Sequence, residues 1–359
     1  MDWDLALKAV IAMAPVLILL LAFDRLDVFK LISLRRIAIL VVAGGASAVA
    51  AYFANGGVML GFPIDTSNYS RYIAPEIEES LKALIVIGLF AANRIGFKLD
   101  AALTGFAIGA GFSMVENVFY LQVQGDANVS AWLVRGLGTA VMHGGATALF
   151  AAVSHEMTER QAEGSAARYV FNPLLFLPGL ALAVVLHSAF NHFGAEPVLA
   201  MLLTFLLVPF TLFLVFQRGE AAQVKWLEHD RAAHARALAD IRSGAFAASA
   251  PGQALRAWAA RSVRGGRATV EDVMAWVELK TELVLRAEEI LLSQDDNGQE
   301  GELAAPIEPG PEDRERFERL DALEARLGKP LLGALGKKLA FSRNDLWELG
   351  RLRARVLGR

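Results

Sequence analysis

Long apolar runs in the first 217 residues constrain the fold of this chain more than any other feature. A helix that crosses the hydrocarbon core of a bilayer needs about 20 mostly apolar residues. The chain is 55% hydrophobic with a mean hydropathy of +0.40, more apolar than a soluble domain. We therefore predict an all-α, polytopic helical membrane bundle in residues 1–217. Its expected seven spans are 5–23, 37–54, 76–93, 100–121, 134–154, 171–193 and 197–217.

The remaining residues are charged and helix-prone. They predict a cytoplasmic helical region at 218–292, a flexible linker at 293–312 that is rich in Gly, Pro and acids, and C-terminal helices at 313–359. Amphipathic helices are expected at 219–247, 251–264, 268–292, 312–328 and 343–357. This tail contains no catalytic motif, and we expect it to serve a cytoplasmic partner or autoregulation. His229 and His234 are expected to be solvated.

Basic residues in the short loops predict the orientation of the bundle. Cytoplasmic loops of membrane proteins carry an excess of Lys and Arg. Here the excess falls in the odd-numbered loops, at Arg25, Lys30, Arg35, Arg36, Arg94, Lys98, Arg160 and Arg168. We expect a multi-pass protein of the cell membrane with its N-terminus outside and its C-terminus in the cytoplasm. The acidic start Met-Asp-Trp-Asp is unlike a cleavable signal peptide.

Composition limits the chemistry that the chain can perform. It contains no cysteine, so disulfides and Cys-type zinc sites are excluded. A metal site would need His, Asp, Glu, Asn or water as ligands. The net charge of −3 gives no bulk attraction to nucleic acid.

Polar residues interrupt four of the predicted spans. Ionisable groups in a span are costly and usually face a bundle interior or a water-filled cavity. Each place alone has a structural interpretation, such as an acidic helix start, a buried ion pair or an interhelical hydrogen bond. The residues concerned are Glu78, Glu79 and Lys82 in the third span, Glu116 and Asn117 in the fourth, His143 in the fifth, and His187 and Asn191 in the sixth.

The depth of these residues favours one shared site. Spans three and five are expected to run inward, and spans four and six outward. With a rise of about 1.5 Å per residue, Glu79, Glu116, His143 and His187 lie roughly 6–14 Å below the outer ends of their spans. Unrelated polar residues would be scattered between the two leaflets. His155 and His192 fall outside this layer.

Two histidines and a carboxylate can hold zinc and leave a fourth position for water, whose pKa the metal lowers. We expect Glu116, His143 and His187 as metal ligands, and Glu79 or Glu78 as the general base. The same residues could also act without metal, with a glutamate activating water directly. The supporting candidates are Lys82, which would keep a glutamate ionised, Asn191, which would stabilise an oxyanion or fix a ligand, and Asn117 beside Glu116.

At these residues the sequence resembles the PrsW family of intramembrane proteases, within the CAAX protease and bacteriocin-processing superfamily. The matching elements are Glu78-Glu79-Ser80-Leu81-Lys82, Phe112 to Glu116-Asn117, His143, and His187 to Asn191. The resemblance covers roughly residues 40–217 and leaves out the tail. It implies cleavage of a single-span, membrane-anchored substrate near the outer face, with an anti-sigma factor as the substrate in the founding member.

Two other functions use the same residues. A proton- or ion-coupled transporter could employ the buried acids, but transporters often show repeated halves and midplane sites. The polar layer here is off-centre and the sequence shows no repeat. A non-catalytic membrane scaffold would be expected to have an incomplete polar set. An intramembrane endopeptidase is therefore the favoured interpretation.

Overall fold

A computed structural model of the chain describes residues 3–26, 33–123, 129–164, 171–192, 197–263, 268–293, 307–336, 338–339 and 341–358. These residues are almost entirely helical and contain no strand, so the all-α prediction is confirmed. The chain divides into two compact units. One comprises Met1–Ser165 and Val170–Glu220, and the other Ala166–Tyr169 and Ala221–Arg359.

The first unit contains the apolar helices. Their bounds are α1 Trp3–Leu26, α2 Leu34–Gly61, α3 Thr66–Asn68, α4 Ala74–Ala91, α5 Lys98–Val123, α6 Val129–Leu133, α7 Ala140–Gly164, α8 Leu177–His192 and α9 Pro197–Arg242. A 3₁₀ turn, Pro173–Phe176, leads into α8. The second unit holds the end of α9 together with α10 Ala245–Ala248, α11 Ala250–Ser262, α12 Val270–Leu292, α13 Pro311–Gly336 and α14 Arg343–Leu357.

Within the described residues, four helical segments are long and apolar enough to cross a membrane: Leu34–Gly61, Lys98–Val123, Ala131–Glu159 and Pro173–His192. Two shorter apolar helices are Ala6–Ala22 and Val198–Thr211. The charged start of α4 lowers the hydropathy of the predicted third span. The structure therefore agrees with a helical membrane bundle, while the number of seven spans stays a prediction.

The junction at residue 217 differs from the sequence prediction. We expected a span ending at 217 and a new helix from 219, whereas α9 continues unbroken from Pro197 to Arg242. Gly219 is the residue of low helix propensity at this point, and one glycine costs only about 1 kcal/mol in a helix. The predicted span and the predicted tail helix therefore belong to one helix, and the boundary between the regions at 217 stays a prediction.

Close packing of α5 against α7 brings the two central helices together. A Cβ atom added at Gly105 would overlap the carbonyl oxygen of Thr147, and one added at Gly109 would overlap that of His143. Only glycine allows backbones to approach this closely. This contact fixes the backbone of His143 against α5.

Two π-helical turns precede the helices that carry the polar residues. Tyr69–Ile73 leads into α4, and Val134–Thr139 leads into α7. Single π turns inside α-helices are often found at functional sites.

The second unit packs around α12. Trp276, Leu283 and Phe317 are buried at its centre. Capping boxes at Thr269 and Ser342 start α12 and α14 and satisfy backbone N–H groups there. These helices agree with the predicted tail helices to within two residues at most ends. Most of the predicted linker, residues 294–306, lies outside the described residues.

The helix expected to end at 328 does end there, because Gly328 has a non-helical φ of 74° and a second helical segment follows it to Gly336. One detail of the tail differs from the prediction. His229 is exposed, as expected, but His234 is largely covered and bonds to a buried glutamate. The charged composition of α9 concealed the face that packs inside the unit.

Candidate active site

Six of the predicted polar residues form one cluster in the first unit. They come from four helices, which places chain segments over 100 residues apart in direct contact. Only the carboxyl group of Glu116 is partly exposed, with 22% of its side chain accessible. The six residues are Glu78, Glu79 and Lys82 of α4, Glu116 of α5, His143 of α7 and His187 of α8.

Glu79 stands at the centre of the cluster. Its Oε1 accepts a hydrogen bond from Lys82 Nζ at 2.5 Å and lies 2.8 Å from His187 Nδ1. A carboxylate at Nδ1 fixes a histidine as the Nδ1–H tautomer and leaves Nε2 basic. Lys82 is fully buried and neutralises the charge of Glu79. Glu79 therefore orients His187 and is itself held by Lys82.

His143 contacts groups on both sides of its ring. Its Nδ1 lies 3.0 Å from Lys82 Nζ, and its Nε2 lies 3.1 Å from Glu116 Oε2. An ammonium group can only donate, so Nδ1 accepts and Nε2 carries the proton that Glu116 accepts. The His143 ring meets the His187 ring edge to face, with 4.7 Å between centroids. The two imidazole rings thus lie next to each other in one small site.

Glu116 is tied to the π-helical turn before α7. Arg135 Nη2 lies 3.3 Å from Glu116 Oε2, and its guanidinium group stacks over the Tyr120 ring at 3.5 Å. Arg135 was not among the predicted site residues. A basic residue at the second position of the predicted span 134–154 was the signal for a role near the acids.

Glu78 has one satisfied oxygen and one unsatisfied oxygen. Asn55 of α2 donates to Oε1 at 3.1 Å, and Tyr69 in turn donates to Asn55 Oδ1 at 2.8 Å. The buried Oε2 has no hydrogen-bond partner among the described residues and lies 3.8 Å from His187 Nε2. Neither Asn55 nor Tyr69 was predicted, although a polar Asn at the end of an apolar span was a visible signal.

Three of these side chains could hold a metal ion. One ligand atom each from Glu78, His143 and His187 lies within 4.8 Å of the other two. Ligands of tetrahedral zinc, with bonds of about 2.0–2.1 Å, lie roughly 3.3 Å apart, so small movements suffice. The unsatisfied Glu78 Oε2 fits this use. Glu116, the carboxylate predicted as a ligand, contacts His143 but is not part of this three-residue group.

The two predicted asparagines lie beside the cluster and bind backbone. Asn117 Nδ2 donates to the Ala12 carbonyl at 3.0 Å, and its Oδ1 accepts from Thr139. Asn191 Nδ2 donates to the Ser70 carbonyl at 2.8 Å. Thr139 and Ser70 both belong to π-helical turns. The asparagines thus hold the two segments that lead into the site helices.

The histidines that were left out of the predicted set also lie outside the cluster. His155 Nε2 is 2.9 Å from the Gly96 carbonyl oxygen, and His192 contacts the Ser188 carbonyl and the Tyr72 hydroxyl. Neither joins the metal-ligand group.

A helical membrane bundle with a buried histidine–glutamate cluster is typical of membrane-embedded metallohydrolases. Comparison with known protein families agrees with this class. Residues 33–216, just over half of the chain, match the family model described as PrsW family intramembrane metalloprotease. The chain belongs to that family. Searches of curated proteins and of solved structures give no significant match.

Proposed function

We propose that this protein is an intramembrane endopeptidase that hydrolyses a peptide bond of a single-span membrane protein. The observation that carries the proposal is the buried cluster in which two histidines and an unsatisfied carboxylate oxygen face one another. A family of intramembrane metalloproteases supplies the reaction class. The bilayer itself is the second partner, because four helical segments are long and apolar enough to cross it: Leu34–Gly61, Lys98–Val123, Ala131–Glu159 and Pro173–His192.

Glu78, His143 and His187 would hold the metal, which we take to be zinc. When bound, zinc supplies a Lewis acid and lowers the pKa of a coordinated water toward 7. The donor set supports this choice, because two imidazoles and one carboxylate with no cysteine are common for catalytic zinc. Because both ring nitrogens of His143 contact other groups, binding there requires His143 to exchange its contact with Glu116 or Lys82.

Glu116 would take the proton of the attacking water. It lies next to His143, is partly exposed, and is kept ionised by Arg135. These roles are exchanged relative to the sequence prediction, in which Glu116 is a ligand and Glu78 or Glu79 is the base. The proximity of Glu78 to both histidines favours the exchange.

The remaining polar groups position these four. Glu79 holds His187 Nδ1, and Lys82 holds Glu79 ionised. Asn191 and Asn117 would act through the π-helical turns that they bind, and either amide could reach an oxyanion only by leaving its carbonyl partner. Their catalytic roles stay predictions.

The expected substrate is an anti-sigma-factor-like membrane protein, cut near the outer face. This follows from the family resemblance and from the orientation predicted by the loop charges, with the N-terminus outside and the C-terminus cytoplasmic in the cell membrane. Glu78, Glu116, His143 and His187 would then lie in the outer half of the bilayer.

Co-expression with a panel of tagged single-span proteins tests the proposal. Wild type should release one shorter product, and Glu78→Gln, Glu116→Gln and His187→Ala should each lose it. Glu116→Gln removes the base, which costs about 10²–10⁴-fold, and the other two substitutions each remove a metal ligand. Glu76→Gln is the matched control, because Glu76 lies on the same helix but is exposed. Equal cleavage by folded Glu78→Gln and Glu76→Gln proteins would overturn the assignment of the site.

A metal-independent protease is the second candidate, and the engagement of both His143 nitrogens favours it. In that case Glu78 or Glu116 activates water directly. Metal analysis of purified protein, paired with cleavage before and after chelation, separates the two mechanisms. Full activity in metal-free protein would remove zinc from the proposal and leave the protease.

A further inference from the structure

We propose that the second unit contains a separate site for a divalent transition-metal ion, built from α9, α12 and α14. Its ligands are Asp230 and His234 of α9, Glu288 of α12 and Asp345 of α14. One ligand atom from each of the four lies within 4.8 Å of the others. The site lies outside residues 33–216, the part that matches the family.

His234 forms the nitrogen side of the site. Its Nδ1 is 2.7 Å from Glu288 Oε1, and its Nε2 is 3.7 Å from Asp345 Oδ2. The ring therefore lies between carboxylates of two different helices. Neutral imidazole is the most common nitrogen ligand of transition metals in proteins.

A fifth acid, Glu348, gives an independent indication of a ligand. It is 1% exposed, and neither of its carboxyl oxygens has a hydrogen-bond partner among the described residues. It lies three residues after Asp345 on α14, so the two acids share a helix face, and Glu288 and Asp230 are also among its electrostatic neighbours. Glu288, at 0% exposure, likewise has an unsatisfied Oε2. Buried carboxylates without partners are costly unless a proton or a cation neutralises them.

Two of the acids lie close together. Ligand oxygens of Asp230 and Asp345 lie within 4.8 Å of each other. Asp345 cannot turn away, because it caps α14 by accepting from the Ser342 N–H at 2.6 Å. Ionised carboxylates held this close repel each other, and a cation shared by these groups would offset that repulsion.

Three basic residues lie near the cluster. Arg231, Lys280 and Arg351 contribute positive potential. Lys280 is directed over the Trp276 ring at 4.5 Å and Arg351 over the Trp347 ring at 5.0 Å. The donor set, one imidazole with several carboxylates and no sulfur, suits Mn²⁺ or Zn²⁺ better than the all-oxygen ions Mg²⁺ and Ca²⁺.

Metal content of the full-length protein in detergent tests the site. His143→Ala/His187→Ala serves as the background, so that the candidate active site does not contribute. After loading with Zn²⁺ or Mn²⁺ and gel filtration, this background should retain about one ion per chain. Addition of His234→Ala and Glu288→Gln should remove that ion. The control substitutions His229→Ala and Glu271→Gln, on exposed positions of the same helices, should not.

Hydrogen exchange of peptides from α12 and α14 gives a second measurement that is local to the unit. Mn²⁺ or Zn²⁺ should slow exchange in the background protein, because a ligand that binds only the folded state stabilises it. Glu288→Gln alone should abolish that slowing, while its exchange without metal stays near that of the background. This single variant keeps the size of the side chain and guards against misfolding of the double variant.

Two results would overturn the proposal. In one, the background protein retains no ion and its exchange does not respond to either metal, so the cluster is a self-contained histidine–carboxylate network. In the other, the ion remains after His234→Ala/Glu288→Gln, so it binds elsewhere. A response to Mg²⁺ or Ca²⁺ alone would overturn the assigned class of metal.

Discussion

The membrane-embedded cluster and the tail cluster use the same residue types and balance their charges differently. In the first, three glutamates meet two histidines, and each of Lys82 and Arg135 makes a direct contact with an acid. In the second, Asp230, Glu288, Asp345 and Glu348 surround one histidine, and neither oxygen of Glu348 has a hydrogen-bond partner among the described residues. A site surrounded by lipid must carry its own counter-charges, because water cannot supply them.

The comparison also separates the roles that a metal would have. The membrane cluster has ionic partners of its own, so a metal there would add chemistry. Among the described residues, the tail cluster leaves Glu288 Oε2 and both oxygens of Glu348 unsatisfied, whereas the membrane cluster leaves only Glu78 Oε2. A metal in the tail would therefore add more stability.

Removing metal from the whole protein should abolish cleavage, whereas removing only the tail site should not. Metal removal should reduce cleavage by wild-type protein to the level of His187→Ala, because the nucleophilic water then has no activator. The His234→Ala/Glu288→Gln protein should cleave as wild type does when loaded with zinc. Cleavage of a tagged substrate in reconstituted membranes measures both. Loss of cleavage in the loaded tail variant would show that the two clusters are not functionally distinct.

Replacing Lys82 should lower the stability of the membrane cluster far more than replacing Glu348 lowers that of the tail. Lys82→Met leaves Glu79 buried without its cation, which costs about 3–5 kcal/mol for a broken buried pair. Lys82→Met/Glu79→Gln should recover part of that stability without recovering cleavage. Denaturant unfolding in detergent measures the change.

The matching substitution in the tail is Glu348→Gln, which should not lower the free energy of unfolding as Lys82→Met does. It removes an acid whose oxygens have no partner, so the metal-free protein should not lose stability. If Glu348→Gln destabilises the metal-free protein as strongly as Lys82→Met does, then the difference in charge balance is not the cause.

Overpacking between α5 and α7 should cost less stability than the loss of the Lys82 cation. Gly109→Ala forces a Cβ against the His143 carbonyl, and overpacking of this kind costs about 1–3 kcal/mol. Cleavage should fall as His143 shifts. Gly88→Ala is the matched control, because nothing lies near its added Cβ and alanine is the better helix former by about 1 kcal/mol. Equal stability of the two variants would mean that α5 and α7 can separate at no cost.

The sequence predicted the helical bundle and the six clustered residues because both follow from strong local signals. Apolar runs identify helices, and charged groups in such runs must meet one another. It could not assign partners among them, since whether Glu78 or Glu116 faces both histidines depends on helix rotation and not on depth. Arg135 and Asn55 were missed because polar residues at the end of an apolar run are ordinary there.

His234 shows the same limit in the tail. Its helix is charged on most sides, so its pattern suggested solvation, and only the packing of α12 and α14 identified the buried face. Long-range contacts of this kind have no signature in the helix itself. The unbroken α9 illustrates the converse, since one glycine is too weak a signal to end a helix.

The π-helical turns at Tyr69–Ile73 and Val134–Thr139 set the rotation of α4 and α7 about their own axes. Each contains one residue more than a regular turn, so it shifts the phase of the following helix by about 100°. Loss of one residue from Tyr69–Ile73 would restore a regular helix and leave its hydropathy almost unchanged. It would also swing Glu78 and Glu79 away from the histidines. The angular alignment of the acids with the histidines therefore depends on residue count upstream of α4, as much as on the identity of the side chains.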